Sequence, residues 1–146
     1  MAITSLTAGK ALSQSATSAT WKPGMQVKMY AKGSSPAPSY TVVIGTESYI
    51  ESQVKGGPEK KKLKITQKDL SEILAKFAEY RLTEIHPVHS NMTTLDGSTH
   101  FLVFNDGEKE FMLVTGSQYE FSSEIQKQNK EAIYGFLIKL VDKANK

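Results

Sequence analysis

Apolar residues recur along this chain at two spacings, and the change from one to the other outlines a fold. From Met25 to Lys32 they alternate: Met25, Val27 and Met29 fall on one side, and Gln26, Lys28 and Tyr30 on the other, which predicts a half-buried strand. Gly33 to Ser39, with Pro36 and Pro38, predicts a loop. Tyr40 to Ile44 predicts a second strand, Gly45-Thr46-Glu47 a turn, and Ser48 to Val54 a third strand. Lys55-Gly56-Gly57-Pro58-Glu59 is a strong turn signal. Lys60 to Ile65 then alternates basic residues with Leu63 and Ile65, as expected of a sheet edge kept from pairing with other chains by its lysines.

The spacing changes at Thr66. Leu70, Ile73, Leu74 and Phe77 share one stripe at 100° per residue, and Thr66 with Asp69 forms an Asp variant of the capping box. A helix is predicted to end near Tyr80 or Leu82, with Glu72 and Lys76 as an i,i+4 pair on its far side. Residues 84–98, with Pro87 and Gly97, read as irregular. Thr99 to Phe104, Asn105-Asp106-Gly107 and Glu108 to Val114 predict a hairpin. Both of its strands carry adjacent apolar residues, as in Phe111-Met112-Leu113-Val114, which fits strands central in a sheet or covered in part on both faces.

Gly116 to Phe121 is read as a connection to a last helix over about Glu124 to Lys143. Its stripe comprises Ala132, Ile133, Phe136, Leu137, Leu140, Val141 and Ala144. Asn129 projects onto the same face, so the first turn is expected to lie outside the core. Tyr134 and Ile138 fall off the stripe, one turn apart; either another element covers them or they form a small exposed patch. There is no internal repeat. The order βββ(β)αββα predicts an α+β fold: an antiparallel sheet of about five to six strands with two helices packed on one face.

At 146 residues the chain holds one such core, expected over residues 21–146, with Trp21 as a lid at its edge. Residues 1–20 differ: thirteen are Ser, Thr or Ala, and Lys10 is the sole charge. Too poor in apolar mass to offset its ordering entropy, this tract is expected to be flexible. Three origins fit it: a stalk left after removal of a leader, an organelle transit segment, or a plain disordered tail, which its composition favours. It contains no apolar run of signal-peptide length, and no run anywhere is long enough for a membrane helix. A soluble chain is expected, with the compartment open; a bacterial envelope or periplasmic location would follow if a leader had been removed.

Composition removes several chemistries. With no cysteine there is no disulfide scaffold, thiolate metal site or cysteine nucleophile. The net charge of +3 is uneven: residues 1–64 carry nine Lys against three Glu, and residues 65–146 nine Lys or Arg against twelve Asp or Glu. No GxSxG elbow, phosphate-binding GxxxxGK[ST] loop, GxGxxG fingerprint or HExxH pair occurs, and no cofactor is implied.

Three groups of residues merit weighing. Glu84, His86, His89 and His100 supply the donor types of a divalent metal site, but Pro87 disrupts helical i,i+3 geometry; loop and sheet-edge histidines are the plainer reading, and Asp96 beside Gly97 reads first as a turn. Lys60, Lys61, Lys62 and Lys64 would attract phosphates, yet the nearest stacking aromatics, Tyr49 and Tyr40, are expected at the other end of the preceding strands, so nucleic acid is disfavoured. Tyr134 and Ile138 are the first candidates for contact with a partner.

The stretch from Pro38 to Ile85 resembles a layout seen in small uncharacterised bacterial envelope domains: the strand Ser39-Tyr40-Thr41-Val42-Val43-Ile44, a second strand, a Gly-marked turn, then the capped helix Thr66-Gln67-Lys68-Asp69-Leu70, followed by a hairpin and a terminal helix. The resemblance implies a fold and no activity. The leading expectation is a non-enzymatic binding module of envelope or immunity/inhibitor type with a protein partner. The first alternative is a metal-dependent enzyme or metal carrier using the His86/His89/His100 group, and the second is nucleic-acid binding through the lysine turn.

Overall fold

Alternation along each strand decides which sheet face meets the helices, and register decides which residues share it. The computed structural model describes residues 20–32, 40–54, 56–90, 98–116 and 118–145. The predicted tail up to residue 19, the predicted loop at 33–39, Lys55, Asp96 and Gly97 lie outside the described residues. In chain order the strands are β1 (Gln26–Lys32), β2 (Tyr40–Ile44), β3 (Tyr49–Val54) and β4 (Gly57–Lys62). Helix α1 (Gln67–Glu79), a 3-10 turn (Leu82–Glu84) and β5 (Val88–His89) follow. Then come β6 (Thr99–Asn105), β7 (Glu110–Gly116), β8 (Tyr119–Glu120) and helix α2 (Glu124–Ala144).

The fold is α+β, with a six-stranded antiparallel sheet in the order β4-β3-β2-β1-β6-β7. β1 joins the N-terminal meander to the C-terminal hairpin. It pairs with β2 from Val27↔Ile44 to Tyr30↔Thr41, and with β6 along its whole length, from Gln26↔Asn105 to Lys32↔Thr99. The registers place Val27, Met29, Val42, Ile44, Leu102 and Leu113 on one face. All are buried in one cluster with Leu70, Ile73, Leu74 and Phe77 of α1 and Ile133, Leu137, Leu140, Val141 and Ala144 of α2. Both helices therefore cover the same face. Each such side chain removed from water contributes about 1.5–3 kcal/mol. Trp21 closes the edge as expected, 8% exposed and tilted against Phe104 with ring centroids 6.5 Å apart.

Local signals fix the helix starts. The Thr66 hydroxyl accepts from the Asp69 N–H at 3.1 Å, and the Asp69 carboxylate accepts from the Thr66 N–H at 3.0 Å. The Ser123 hydroxyl accepts from the Gln126 N–H at 3.2 Å, and Ile125 in that first turn is exposed, outside the core as expected. Four expectations are corrected. Gly56 and Gly57 both take positive φ, so the chain reverses before Pro58; the edge strand is residues 57–62, wholly exposed, and Leu63 beyond it enters the core. Lys76 pairs with Glu79 at 3.3 Å instead of Glu72, on the side where the Tyr80 and Phe136 rings lie 5.8 and 5.9 Å from its ammonium. The segments read as irregular and as a connection contribute β5 and β8, which pair as a second small sheet. Gln126 then ties this region to α2: its amide donates to the Glu84 carbonyl at 2.9 Å and accepts from the His86 N–H at 3.3 Å.

Adjacent residues of β7 report the two faces. Leu113→Ala, which hollows the core, is expected to lower unfolding free energy by about 2–5 kcal/mol. Met112→Ala, on the opposite face, should change it by about 0.5 kcal/mol. Urea titration of both variants measures this; similar losses would mean that β7 is covered on both sides.

Candidate functional site

The face away from the helices is not a polar surface. The registers bring to it Lys28, Tyr30 and Lys32 of β1, Thr41 and Val43 of β2, and Tyr49 and Glu51 of β3. From the other half come Phe101 and Val103 of β6 and Glu110 and Met112 of β7. Among the described residues no helix covers them. Tyr30 and Phe101 stack with centroids 4.8 Å apart and planes 14° from parallel. Met112 is 47% exposed. Val43 and Val103 are buried, with Lys28 between them in the register; a lysine stem in that position shields apolar surface while its ammonium stays in water. Most of these residues line a shallow depression of about 470 Å³.

This face also takes in part of the lysine turn. Because β4 returns antiparallel to β3, Lys62 lies opposite Tyr49 and Lys60 opposite Glu51, and the Lys60 ammonium sits 4.7 Å from the Tyr49 ring centroid. The expected separation of these lysines from aromatics is thus corrected by the register. Lys61 points to the other face, opposite Ile50, and the Lys64 backbone N–H donates to the Ala144 carbonyl at 3.1 Å. The four lysines do not act as one patch.

A second concavity lies between α2 and the helix-covered face. It measures about 450 Å³ and is lined by Met29, Val42, Ile50, Tyr134, Ile138 and Val141 among others, with His100, Lys130 and Asp142 also on its wall. Tyr134 and Ile138, the contact candidates, therefore share one site. Ile138 is 53% exposed, while Tyr134 is largely buried with its hydroxyl out of solvent. Three buried polar atoms of the wall lack a hydrogen-bond partner: the Thr115 hydroxyl, the Tyr134 hydroxyl and the Asn145 side-chain oxygen. Burial pushes the Tyr134 phenol up to about 12; the Thr115 side chain is near enough to offset this in part, without the geometry of a hydrogen bond.

The histidines do not assemble. His86 is exposed with its ring 6.2 Å from that of Phe111; His89 meets Tyr119 edge-on at 5.2 Å; His100 lies on β6 opposite Ala31 and Thr115. The Glu84 carboxylate is turned to Arg81, 3.7 Å from its guanidinium. Among the described residues no three His, Asp or Glu side chains gather as a metal site. No helix among them is long and apolar enough to cross a membrane.

Tyr30, Phe101, Val103 and Met112 were not singled out from the sequence, nor were Thr115 and Asn145. For the first group a signal existed: the runs at 101–104 and 111–114 are apolar at both parities, so one set must face away from the helices. For Thr115 and Asn145 none existed, since their isolation depends on long-range packing. No family model, curated protein or solved structure matches the chain.

The phenol has a measurable consequence. Its pKa is raised on folding, so its contribution is complete below about pH 10, where the unfolded chain's tyrosine is still neutral. It is lost as pH rises toward 12, because the unfolded chain ionises first. Wild type should lose on the order of 2–3 kcal/mol over that interval relative to Tyr134→Phe. Denaturant unfolding from pH 9 to 12 checks this; parallel curves would show a phenol that ionises freely in the fold.

Proposed function

We propose that this chain is a non-enzymatic interaction module that grips a protein partner with the helix-free face of its six-stranded sheet. The observation that carries the reading is the composition of that face. Its apolar members are Val43, Val103, Met112 and the Tyr30–Phe101 stack; the Lys28 stem lies among them, and Lys32, Lys60, Lys62, Glu51 and Glu110 border them. Apolar, aromatic and methionine side chains at the centre with charges around them are the anatomy of a protein–protein contact. Apolar patches of this kind on a soluble domain mark interaction sites.

Nucleic acid is the weaker fit. Lysines and rings do share this face, but Glu51 and Glu110 stand where a phosphate backbone would run, and the ring faces of Tyr30 and Phe101 that meet in their stack are closed to bases. An immunity- or inhibitor-type role agrees with a rigid sheet presenting a fixed surface. The envelope setting is supported by the resemblance in element layout alone. The proposal requires no reaction and no cofactor.

The test compares wild type with Met112→Glu, which places a charge on the exposed apolar side of the edge strand β7 without entering the core. The variant should unfold within about 0.5 kcal/mol of wild type. A partner captured from the source cells by wild type should be lost or weakened at least about tenfold in direct titration, as expected for a contact worth about 1.4 kcal/mol. Equal capture by both proteins would refute the assignment. Retention of wild type on single-stranded DNA with a steep salt slope would favour the nucleic-acid reading instead.

A further inference from the structure

At β4 the sheet ends in an edge whose main chain is open. β4 stands last in the strand order, and among the described residues no strand pairs with its outer side. Every residue of the strand is exposed. One hydrogen bond shows which of its backbone groups point outward. Just beyond the strand, the Leu63 N–H donates to the Ser48 carbonyl at 2.8 Å. Bonded and non-bonded pairs alternate along an antiparallel ladder. Lys61↔Ile50 and Glu59↔Ser52 are therefore bonded pairs, and the backbone groups of Lys60 and Lys62 turn away from β3. Lys64 shares that parity, and its N–H does point outward, to the Ala144 carbonyl of α2 at 3.1 Å. Pro58 shares it too, and an edge strand tolerates proline where the missing N–H would face solvent. The open edge thus offers the N–H and C=O groups of Lys60 and Lys62 and the Pro58 carbonyl.

We propose that the β4 edge binds an acidic, extended segment of a protein partner, which adds to the sheet as a seventh strand. Strand addition draws affinity from main-chain hydrogen bonds and selectivity from side chains on alternate sides. The site rests on the sheet-face reading only in taking its ligand from a protein partner. Lys60 and Lys62 border that face, whereas Met112 lies on the strand at the opposite edge of the sheet.

Charge selects the occupant. Lys60 and Lys62 lie on the open face and Lys61 on the other, so they form no single patch for a phosphate backbone. Side chains of an added strand alternate in the same way, and three consecutive acidic residues would each meet one lysine. Among the described residues the ion pairs are Lys76–Glu79 and Arg81–Glu84, which leaves these three ammoniums without a carboxylate. No carboxylate of β4 stands beside Lys60 and Lys62 on the open face: Glu59 takes the helix side, and Glu51 lies behind them in β3. The same lysines turn away a second copy of the chain, because antiparallel pairing centred on Lys60 or Lys61 sets lysine against lysine.

The experiment titrates the full-length protein with the peptide Ac-Thr-Val-Glu-Asp-Glu-Val-Thr-NH2, following amide shifts and amide exchange by NMR. A second peptide, N-methylated at its three acidic residues, keeps the charge and removes the donors. Saturable shifts in the millimolar range are expected at β4, with exchange slowed at Lys60 and Lys62 but not at Lys61, whose N–H is already bonded to β3. The methylated peptide should bind at least about tenfold more weakly, as expected for the loss of two backbone hydrogen bonds. Lys60→Gln combined with Lys62→Gln should weaken the first peptide about fivefold, the scale of two exposed ion pairs. Met112→Glu should bind it as wild type does, so failure at the edge and failure of the face reading are separate results. Absence of saturable shifts, equal affinity for the methylated peptide, protection at Lys61 instead of its neighbours, unchanged affinity in the lysine variant, or tighter binding of single-stranded DNA would each overturn the proposal.

Discussion

The structure depends on one strand being paired along both edges. β1 receives β2 on one side and β6 on the other, and its Val27 and Met29 lie at the centre of the face on which both helices rest. Without the β1–β6 ladder, the meander β1–β4 and the hairpin β6–β7 would each expose an unpaired edge, and neither would carry enough apolar area to hold α1 and α2. An isolated hairpin is at best marginal in water. Seven consecutive residue pairs between β1 and β6 convert two marginal pieces into one sheet with one core. The two surfaces of interest follow from this, since the open face spans both halves and the cavity is floored by β1, β2 and β6 together.

Features with local causes were legible in the sequence. The stripe and cap of α1, the extent of α2 and the Asn105-Asp106-Gly107 hairpin all depend on residues a few positions apart. In that hairpin the Asp106 carboxylate accepts from the N–H groups of Glu108 and Lys109, as an aspartate in a turn is expected to do. Features with distant causes were not legible. The pairing of Val88-His89 with Tyr119-Glu120 joins two segments too short to show a period. Lys76 turns to Glu79 because rings from two helices converge there, information absent from α1 alone. The position of Lys60 over Tyr49 follows from register, which the alternation of β3 and β4 does not determine.

The candidate site was legible only at its periphery. Tyr134 and Ile138 stood out because they leave the apolar stripe of α2; in the structure Tyr134 packs against the rim of the core and Ile138 stays exposed, both bordering the same concavity. Their unpartnered neighbours Thr115 and Asn145 carry no distinguishing pattern. The open face was present in the sequence as strands apolar at both parities, a pattern that fits a strand buried on both sides or one whose second side serves a contact. Placement of both helices on one face leaves the second side without a helix over it among the described residues. The three histidines illustrate the converse: proximity along the chain, as in His86 and His89, does not bring imidazoles together when each meets a different ring.

The central position of β1 also sets an order of events during synthesis. Its partner β6 lies at least 67 residues further along, counting from Lys32 to its partner Thr99. At typical translation rates β1 therefore waits about 3–13 s as a bare edge while α1 and its connections emerge from the ribosome. Lys28 and Lys32 are borne by that very strand. Charge on a waiting edge discourages pairing with a neighbouring nascent chain. The lysines that β1 carries on the open face of the finished sheet thus act first as guards of its assembly, and replacing them with apolar residues would expose the newborn chain to aggregation.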